Sequence, residues 1–192
     1  MFNITKKLPL NFKILRFFLI PTILFSTPFF INIEDAKAGL EFQWDQDSGF
    51  RRLKWFQTEN KRRFRNKIYF FFRPSDRRTE LLKINLAIPE TFKTTLNKEK
   101  INFCKVRIGG FENRTKCLED IPADIEIITE ESGLRSLNIY PYSPIPNNKE
   151  SYAIVFKVFN PKKSGLFQFH SYGQPKGKSV STYLGSWTIV ID

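Results

Sequence analysis

Any imidazole chemistry in this chain must run through His170, the only histidine. It sits in Phe167-Gln168-Phe169-His170, where strand alternation turns it outward beside Gln168. That is the position of a solvated strand histidine, not of a base held against a nucleophile. No Gly-x-Ser-x-Gly occurs, and Gly185-Ser186-Trp187 lacks the residues that precede a nucleophile elbow. Paired carboxylates could drive glycan hydrolysis. The candidates Glu119-Asp120 and Glu130-Glu131 are chain neighbours at turns, and neighbours on a strand point to opposite faces. Asp45-Gln46-Asp47-Ser48-Gly49 has the opening spacing of a calcium loop without its distal glutamate. Asn113-Arg114-Thr115 reads as a glycosylation sequon, which has meaning only in a compartment with that machinery. The sequence therefore assigns no catalytic residue, no metal site and no cofactor.

The constellation that stands out is basic and aromatic. Arg51, Arg52, Lys54, Lys61, Arg62, Arg63, Arg65 and Lys67 are opposed within their own segment by Glu59 alone. The whole chain carries +12, and this stretch holds most of that excess. A nearly balanced body with one strongly basic stretch points to a local anionic partner. Arginine forks onto phosphate or carboxylate. Trp55, Phe56 and Phe64 could stack on sugar rings or dip into a headgroup layer. The candidate anionic-surface residues are Arg51, Arg52, Lys54, Trp55, Arg62, Arg63 and Arg65. The bland alternative is an exposed charged arm whose aromatics pack on the domain behind it.

Cys104 and Cys117 are the only cysteines, with twelve residues between them. An even count in an exported chain favours a disulfide, which on the chain-entropy account stabilises a fold by ~3 kcal/mol for a loop of this size. The alternative is a pair of free thiols. A bridge would rule out a cysteine nucleophile. Metal binding is not indicated, since there is no CxxC and no Cys/His cluster.

The compartment is read from the first thirty-eight residues. Lys6, Lys7, Lys13 and Arg16 make a positive start, an apolar run from Phe17 to Ile31 follows, and Ala36-Lys37-Ala38 supplies small residues for a peptidase. That order is a secretory signal peptide (a helix by expectation) with cleavage between Ala38 and Gly39. The competing reading is a retained membrane anchor. A spanning helix needs ~20 apolar residues, and this run is shorter and contains Pro21 and Pro28. Export leads to the periplasm, the thylakoid lumen or the outer cell surface, and it removes nucleic acid as a partner although the basic stretch has the right ingredients.

The elements behind these residues read as strands. Residues 39–67 form a distinct basic-aromatic segment with no clear period, taken as loop with possible short elements. From 68 to 192 the pattern is strand after strand. Ile68–Phe72 is a continuous apolar run. Ile84, Leu86 and Ile88 alternate, as do Cys104, Val106 and Ile108, which places Cys104 on an inner face. Ile125 and Ile127, Leu137 and Ile139, Phe167 and Phe169, and Trp187, Ile189 and Ile191 each share a face. Tyr152, Ile154, Phe156 and Val158 share one face of a long strand while Ala153, Val155 and Phe159 share the other, the mark of a central strand covered on both sides. Helix is conceivable only around 76–82 or 91–98. About eight short strands separated by turn signals predict an all-β antiparallel sandwich of immunoglobulin-like type. With 21 phenylalanines there is apolar surface enough to fill it, and a disordered chain would not carry that load.

From Ile68 onward the chain resembles a family of exported cyanobacterial proteins known as domain of unknown function 2808. The resemblance is carried by Tyr69-Phe70-Phe71-Phe72 with Pro74, by Leu82–Ile88, and by Pro144-Ile145-Pro146-Asn147 leading into Tyr152–Phe156. Asn160-Pro161, Gly165–Phe169, Leu184-Gly185 and Ile189-Val190-Ile191 complete it. It implies an exported or envelope-associated β-rich domain and no reaction. Cys104, Cys117 and the stretch 51–67 are not part of the family pattern.

Together these readings predict a non-catalytic exported sandwich. It would bind an anionic envelope component, lipid or polysaccharide, by peripheral contact through the basic-aromatic segment. The rivals are a carbohydrate-active hydrolase or lyase using surface carboxylates, and a subunit that pairs with another exported protein through an exposed strand edge.

Overall fold

The structure, a computed structural model, describes residues 51–110 and 113–192. The leader, its cleavage residues Ala36, Ala38 and Gly39, and the Asp45/Asp47 pair lie outside the described residues. Among the described residues there are ten strands: β1 (Trp55–Gln57), β2 (Arg65–Phe72), β3 (Leu81–Ile88), β4 (Ile101–Arg107), β5 (Lys116–Asp120), β6 (Ala123–Thr129), β7 (Arg135–Pro141), β8 (Tyr152–Phe159), β9 (Gly165–Pro175) and β10 (Thr182–Ile191). They form two five-stranded antiparallel sheets, β1-β2-β8-β4-β5 and β10-β9-β3-β7-β6. The expected immunoglobulin-like sandwich is what the chain builds. Neither 76–82 nor 91–98 forms an α-helix, and the only helical pieces among the described residues are 3-10 turns at Pro74–Asp76 and Lys98–Lys100, which touch those regions at one residue each.

Alternation explains the core. Ile68, Phe70 and Phe72 of β2, Ile84, Leu86 and Ile88 of β3, Ile154 and Phe156 of β8, and Phe167 and Phe169 of β9 face inward and are buried. Trp187 is fully buried against Phe70 (centroids 5.0 Å) and Phe72 (5.1 Å). Offset and edge-on contacts of this kind are favoured by the ring quadrupole beyond the area they bury.

The first sheet is covered on its outer side too. Tyr69, Phe71, Ala153, Val155, Cys104 and Val106 form a second buried cluster there. This corrects the face assigned to Cys104. Ile101 and Phe103 of β4 point into the intersheet core, and Cys104 and Val106 point away from it. Both faces of β4 are apolar, so periodicity could not choose between them. The Cys104–Cys117 disulfide is formed and ties β4 to its neighbour β5 on that outer face. Between those strands, Gly109, Gly110 and Asn113–Thr115 share a cavity with Phe56 of β1 and with Thr58 just after it.

From residue 51 onward the basic-aromatic segment is part of the sandwich rather than a loop ahead of it. Arg52 makes a parallel bridge to Ser186 of β10, with Leu53 N–H donating to the Ser186 carbonyl (2.8 Å) and Ser186 N–H to the Arg51 carbonyl (2.7 Å). Three residues later Trp55–Gln57 pairs with β2 in the other sheet. The chain thus crosses from one sheet to the other and closes that side of the sandwich. Leu53, 1% exposed, is its plug in the core. Gly185 permits the approach: a Cβ there would lie 2.7 Å from the Arg51 carbonyl oxygen, and its φ of +146° suits glycine. The first core strand accordingly begins at Arg65 rather than at Ile68.

Candidate anionic-ligand interface

The outward positions of the closing strand carry the charge. Arg52, Lys54 and Phe56 are exposed while Leu53 and Trp55 turn inward. Trp55 is half-buried against the core, so its ring is part of the wall and not a free stacking platform. The buried indole of Trp187 donates to the Lys54 carbonyl (3.0 Å), which fixes the backbone beneath Lys54.

Arg51 is committed to the fold. It donates to the carbonyl of Ser75 and lies 3.6 Å from the carboxylate of Asp76. Asp76, 1% exposed, also accepts from the Arg73 backbone N–H (2.9 Å), from Arg73 Nε (3.0 Å) and from Arg73 Nη2 (3.1 Å). A buried carboxylate is tolerable when it is saturated this way. Next to it Arg77 is buried, donating to the carbonyls of Phe72 (2.6 Å) and Glu150 (2.7 Å) under the ring of Tyr152. Burial lowers the guanidinium pKa of Arg77.

The other candidates sit elsewhere. Arg62 donates Nε to the Asp192 carbonyl (3.2 Å), Arg63 holds a left-handed turn at φ 62°, and Arg65 lies over the ring of Phe159 at 5.5 Å. These residues flank the start of β2, whereas Arg51 and Arg73 flank its end. Eight residues of strand separate them, about 25 Å at ~3.3 Å per residue. The structure therefore divides the seven candidates into two groups instead of gathering them into one patch. Each group recruits cations distant in sequence. Arg52, Lys54 and Trp55 line a cavity of about 440 Å³ with Arg73, and Arg62 and Arg63 line one of about 350 Å³ with Lys162. A larger cavity of about 680 Å³ collects Arg51, Arg78 and Lys178 beside Thr79, Thr182 and Tyr183. Arg73, Arg78, Lys162 and Lys178 were not legible as site residues, because nothing local distinguishes them from other surface cations.

Among the described residues, Arg52, Lys54, Arg63 and Arg65 have no carboxylate within ion-pairing distance, since the ion pairs present are Arg51–Asp76, Arg73–Asp76, Lys105–Glu150 and Lys176–Glu80. The carboxylates Glu119, Asp120, Glu130 and Glu131 are exposed at the end of β5 and the turn after β6, and none lines these cavities. His170 faces outward as expected, and its Nδ1 lies 2.7 Å from Ser186 Oγ, which is also 2.6 Å from the hydroxyl of Tyr183. The oxygen of Ser186 is buried under these two side chains.

No curated protein matches the chain. Among solved structures, BslA, a bacterial hydrophobin, is similar at 12% identity and a TM-score of 0.45, over 73% of this chain and 97% of that one. The collagen-binding domain of a Staphylococcus aureus adhesin is similar at 12% identity and a TM-score of 0.36, over 71% and 95%. The collagen-binding subdomain of the Enterococcus faecalis surface protein ACE is similar at 10% identity and a TM-score of 0.37, over the same shares. These likenesses concern the course of the chain and nothing finer. Residues 45–191 match the family described as a protein of unknown function (DUF2808), a span that takes in every strand of the sandwich, and the chain belongs to that family.

Proposed function

We propose that this is an exported, non-catalytic cyanobacterial envelope protein that binds an extended anionic partner along its closed edge. The observation that carries the reading is two groups of cations with no ion-pair partner among the described residues, Arg52 with Lys54 and Arg63 with Arg65, on a segment whose inward residues already serve the fold. Spacing selects the kind of partner. The two groups are about 25 Å apart by strand length, roughly three times the ~8 Å screening length at physiological salt. They do not reinforce one another on a single phosphate, but both can engage a polymer or a surface. The disulfide suits an oxidising compartment, and the signal peptide provides the route to it.

Co-sedimentation with vesicles of anionic and of zwitterionic lipid, and with an acidic polysaccharide, across a salt series tests the reading. Each basic residue near an anionic surface contributes ~1 kcal/mol. Replacing Arg52, Lys54, Arg62 and Arg63 with Gln therefore lowers affinity by about two to three orders of magnitude at low salt. Retention indifferent to salt and to these substitutions refutes it.

A second reading has its own observation. On the side opposite the closing strand, β5 and β6 are the outermost strands of their sheets, and Leu118 and Ile128 are exposed there. A strand from another exported protein could add to β6. Cross-linking through a cysteine placed on β6 discriminates the two.

A further inference from the structure

The outer face of the second sheet carries polar and aromatic side chains, most of them reaching solvent, with Asn138 buried among them. Its strands are in lateral register, so outward residues line up in rows across all five. Tyr183 lies opposite Tyr172, Tyr172 opposite Asn85, Asn85 opposite Asn138, and Asn138 opposite Glu126. The next row holds Gln174, Lys83, Tyr140 and Asp124. The inward residues between them, such as Ile84, Leu86, Leu137 and Ile139, are core. The rows are therefore set by the same alternation that fills the sandwich.

The groups are tied to one another. Asn85 donates to Asn138 (2.8 Å), Lys83 Nζ lies over the Tyr140 ring at 4.8 Å, and the Tyr183 hydroxyl is held on Ser186. The rings of Tyr172 and Tyr183 are 5.7 Å apart, and each is about a third exposed. Tyr183 also forms a wall of the 680 Å³ cavity that contains Arg78 and Lys178. The carboxylate in that cavity, Asp76, is already neutralised by Arg51 and Arg73.

We infer that this face is a binding platform for an acidic polysaccharide. It rests on the reading of an anionic partner and goes beyond it, naming the class and adding a contact on β9–β10 to that of the closing strand. Sugar rings have apolar C–H faces and hydroxyl edges. Tyr172 and Tyr183 supply flat apolar surface, and Gln174, Lys83 and Asn85 supply donors and acceptors beside it. Strands spaced ~4.8 Å apart present these groups in a regular array suited to an extended chain. A lipid headgroup has no use for such a row. The carboxylate or sulfate of the sugar chain falls at Arg78 and Lys178, where cations collect at one end of the platform.

The test is affinity electrophoresis of the full chain in gels containing alginate, dextran sulfate or neutral dextran, alongside binding to anionic vesicles. The variants are Tyr172→Ala, Tyr183→Phe and Arg78→Gln with Lys178→Gln, each checked for an unchanged melting transition. Among the described residues the Tyr172 hydroxyl makes no hydrogen bond, and its ring is about a third exposed. Tyr172→Ala is expected to weaken alginate binding by about tenfold. The double Gln variant abolishes the preference for alginate over neutral dextran. Tyr183→Phe, which keeps the ring, retains most of the affinity. Vesicle binding is unchanged in Tyr172→Ala. Alginate affinity that survives Tyr172→Ala and the double Gln variant but falls with the Arg52, Lys54, Arg62 and Arg63 substitutions overturns the platform and leaves the proposed function standing. Binding to vesicles with none to any polysaccharide also overturns it.

Discussion

Gly185→Ala is the sharpest probe of how this fold is closed. The added Cβ would sit 2.7 Å from the Arg51 carbonyl oxygen, 2.7 Å from Leu53 Cγ and 2.9 Å from Leu53 Cδ2. The Leu53 contact is with a side chain that can shift. The Arg51 contact is with backbone that is hydrogen-bonded to Ser186 N–H at 2.7 Å, so relief there requires the closing strand to move. Overpacking of this kind costs ~1–3 kcal/mol, and a side chain at φ +146° adds ~1–3 kcal/mol of backbone strain. The sum is about 2–6 kcal/mol. For a domain of this size each kcal/mol lowers Tm by ~2–4 °C, so the transition should fall by roughly 4–24 °C. A location comes with the magnitude. The amides of Leu53 and Phe71, which donate to Ser186 and Lys54, should exchange faster with solvent, while those in the β3–β7 ladder lose protection only through the global shift. Adding Leu53→Ala, itself a loss of ~2–5 kcal/mol, should give a double variant more stable than the sum of the two singles predicts, because part of the clash is with the Leu53 side chain. A destabilisation below ~1 kcal/mol, or uniform exchange, would show that the strand beside β10 is not held in place by this contact.

Asp76→Ala leaves the guanidinium of Arg73 and its part-buried backbone N–H without their acceptor, and should cost ~1–3 kcal/mol by urea denaturation. Reducing the Cys104–Cys117 bridge, or replacing both cysteines with Ser, should cost ~3 kcal/mol, with the loss visible as a lower urea midpoint. Ser171 Oγ is buried with no hydrogen-bond partner among the described residues, so Ser171→Ala should be neutral or stabilising by about 1 kcal/mol; a clear loss would reveal a partner for the hydroxyl. The Tyr142 hydroxyl donates to Asp124 (3.0 Å), and that bond raises its pKa above the ordinary 10.0. A pKa raised in the folded state means the contribution is complete below the unfolded value and is lost as pH climbs through the folded one. Absorbance titration should therefore show one tyrosine ionising late, and Asp124→Asn should bring it back.

Much of this architecture was legible because inward positions obey a strict period. Ile84, Leu86 and Ile88, or Trp187, Ile189 and Ile191, can satisfy only one arrangement, and β8 announced itself as central through apolar residues on both faces. The same two-sidedness misplaced Cys104, since β4 is apolar on both faces and only the three-dimensional neighbours decide which one meets the other sheet. The strands β1 and β5 were missed for a different reason. With three and five residues they are too short to establish a period, and β5 buries almost nothing. Their pairing comes from the strands beside them. Of the candidate site, the charge was visible and its geometry was not. Arg51 and Arg52 are adjacent in the chain, yet one is tied to Asp76 and the other has no ion-pair partner among the described residues.

That division bears on why the cations are there at all. A strand that seals the side of a sandwich must expose every second residue, which accounts for polar side chains at 52 and 54. It does not account for their sign. Ser, Gln or Glu would leave Leu53 and Trp55 equally well packed, and a carboxylate at either position would relieve the repulsion from Arg73 nearby. Arg52→Gln and Lys54→Gln should accordingly change stability by no more than about 0.5 kcal/mol each, or raise it slightly as like-charge repulsion is relieved, while lowering affinity for anionic vesicles or alginate. If instead the pair lowers stability by 2 kcal/mol and leaves binding intact, the charges serve the fold, and no anionic partner is needed to explain them.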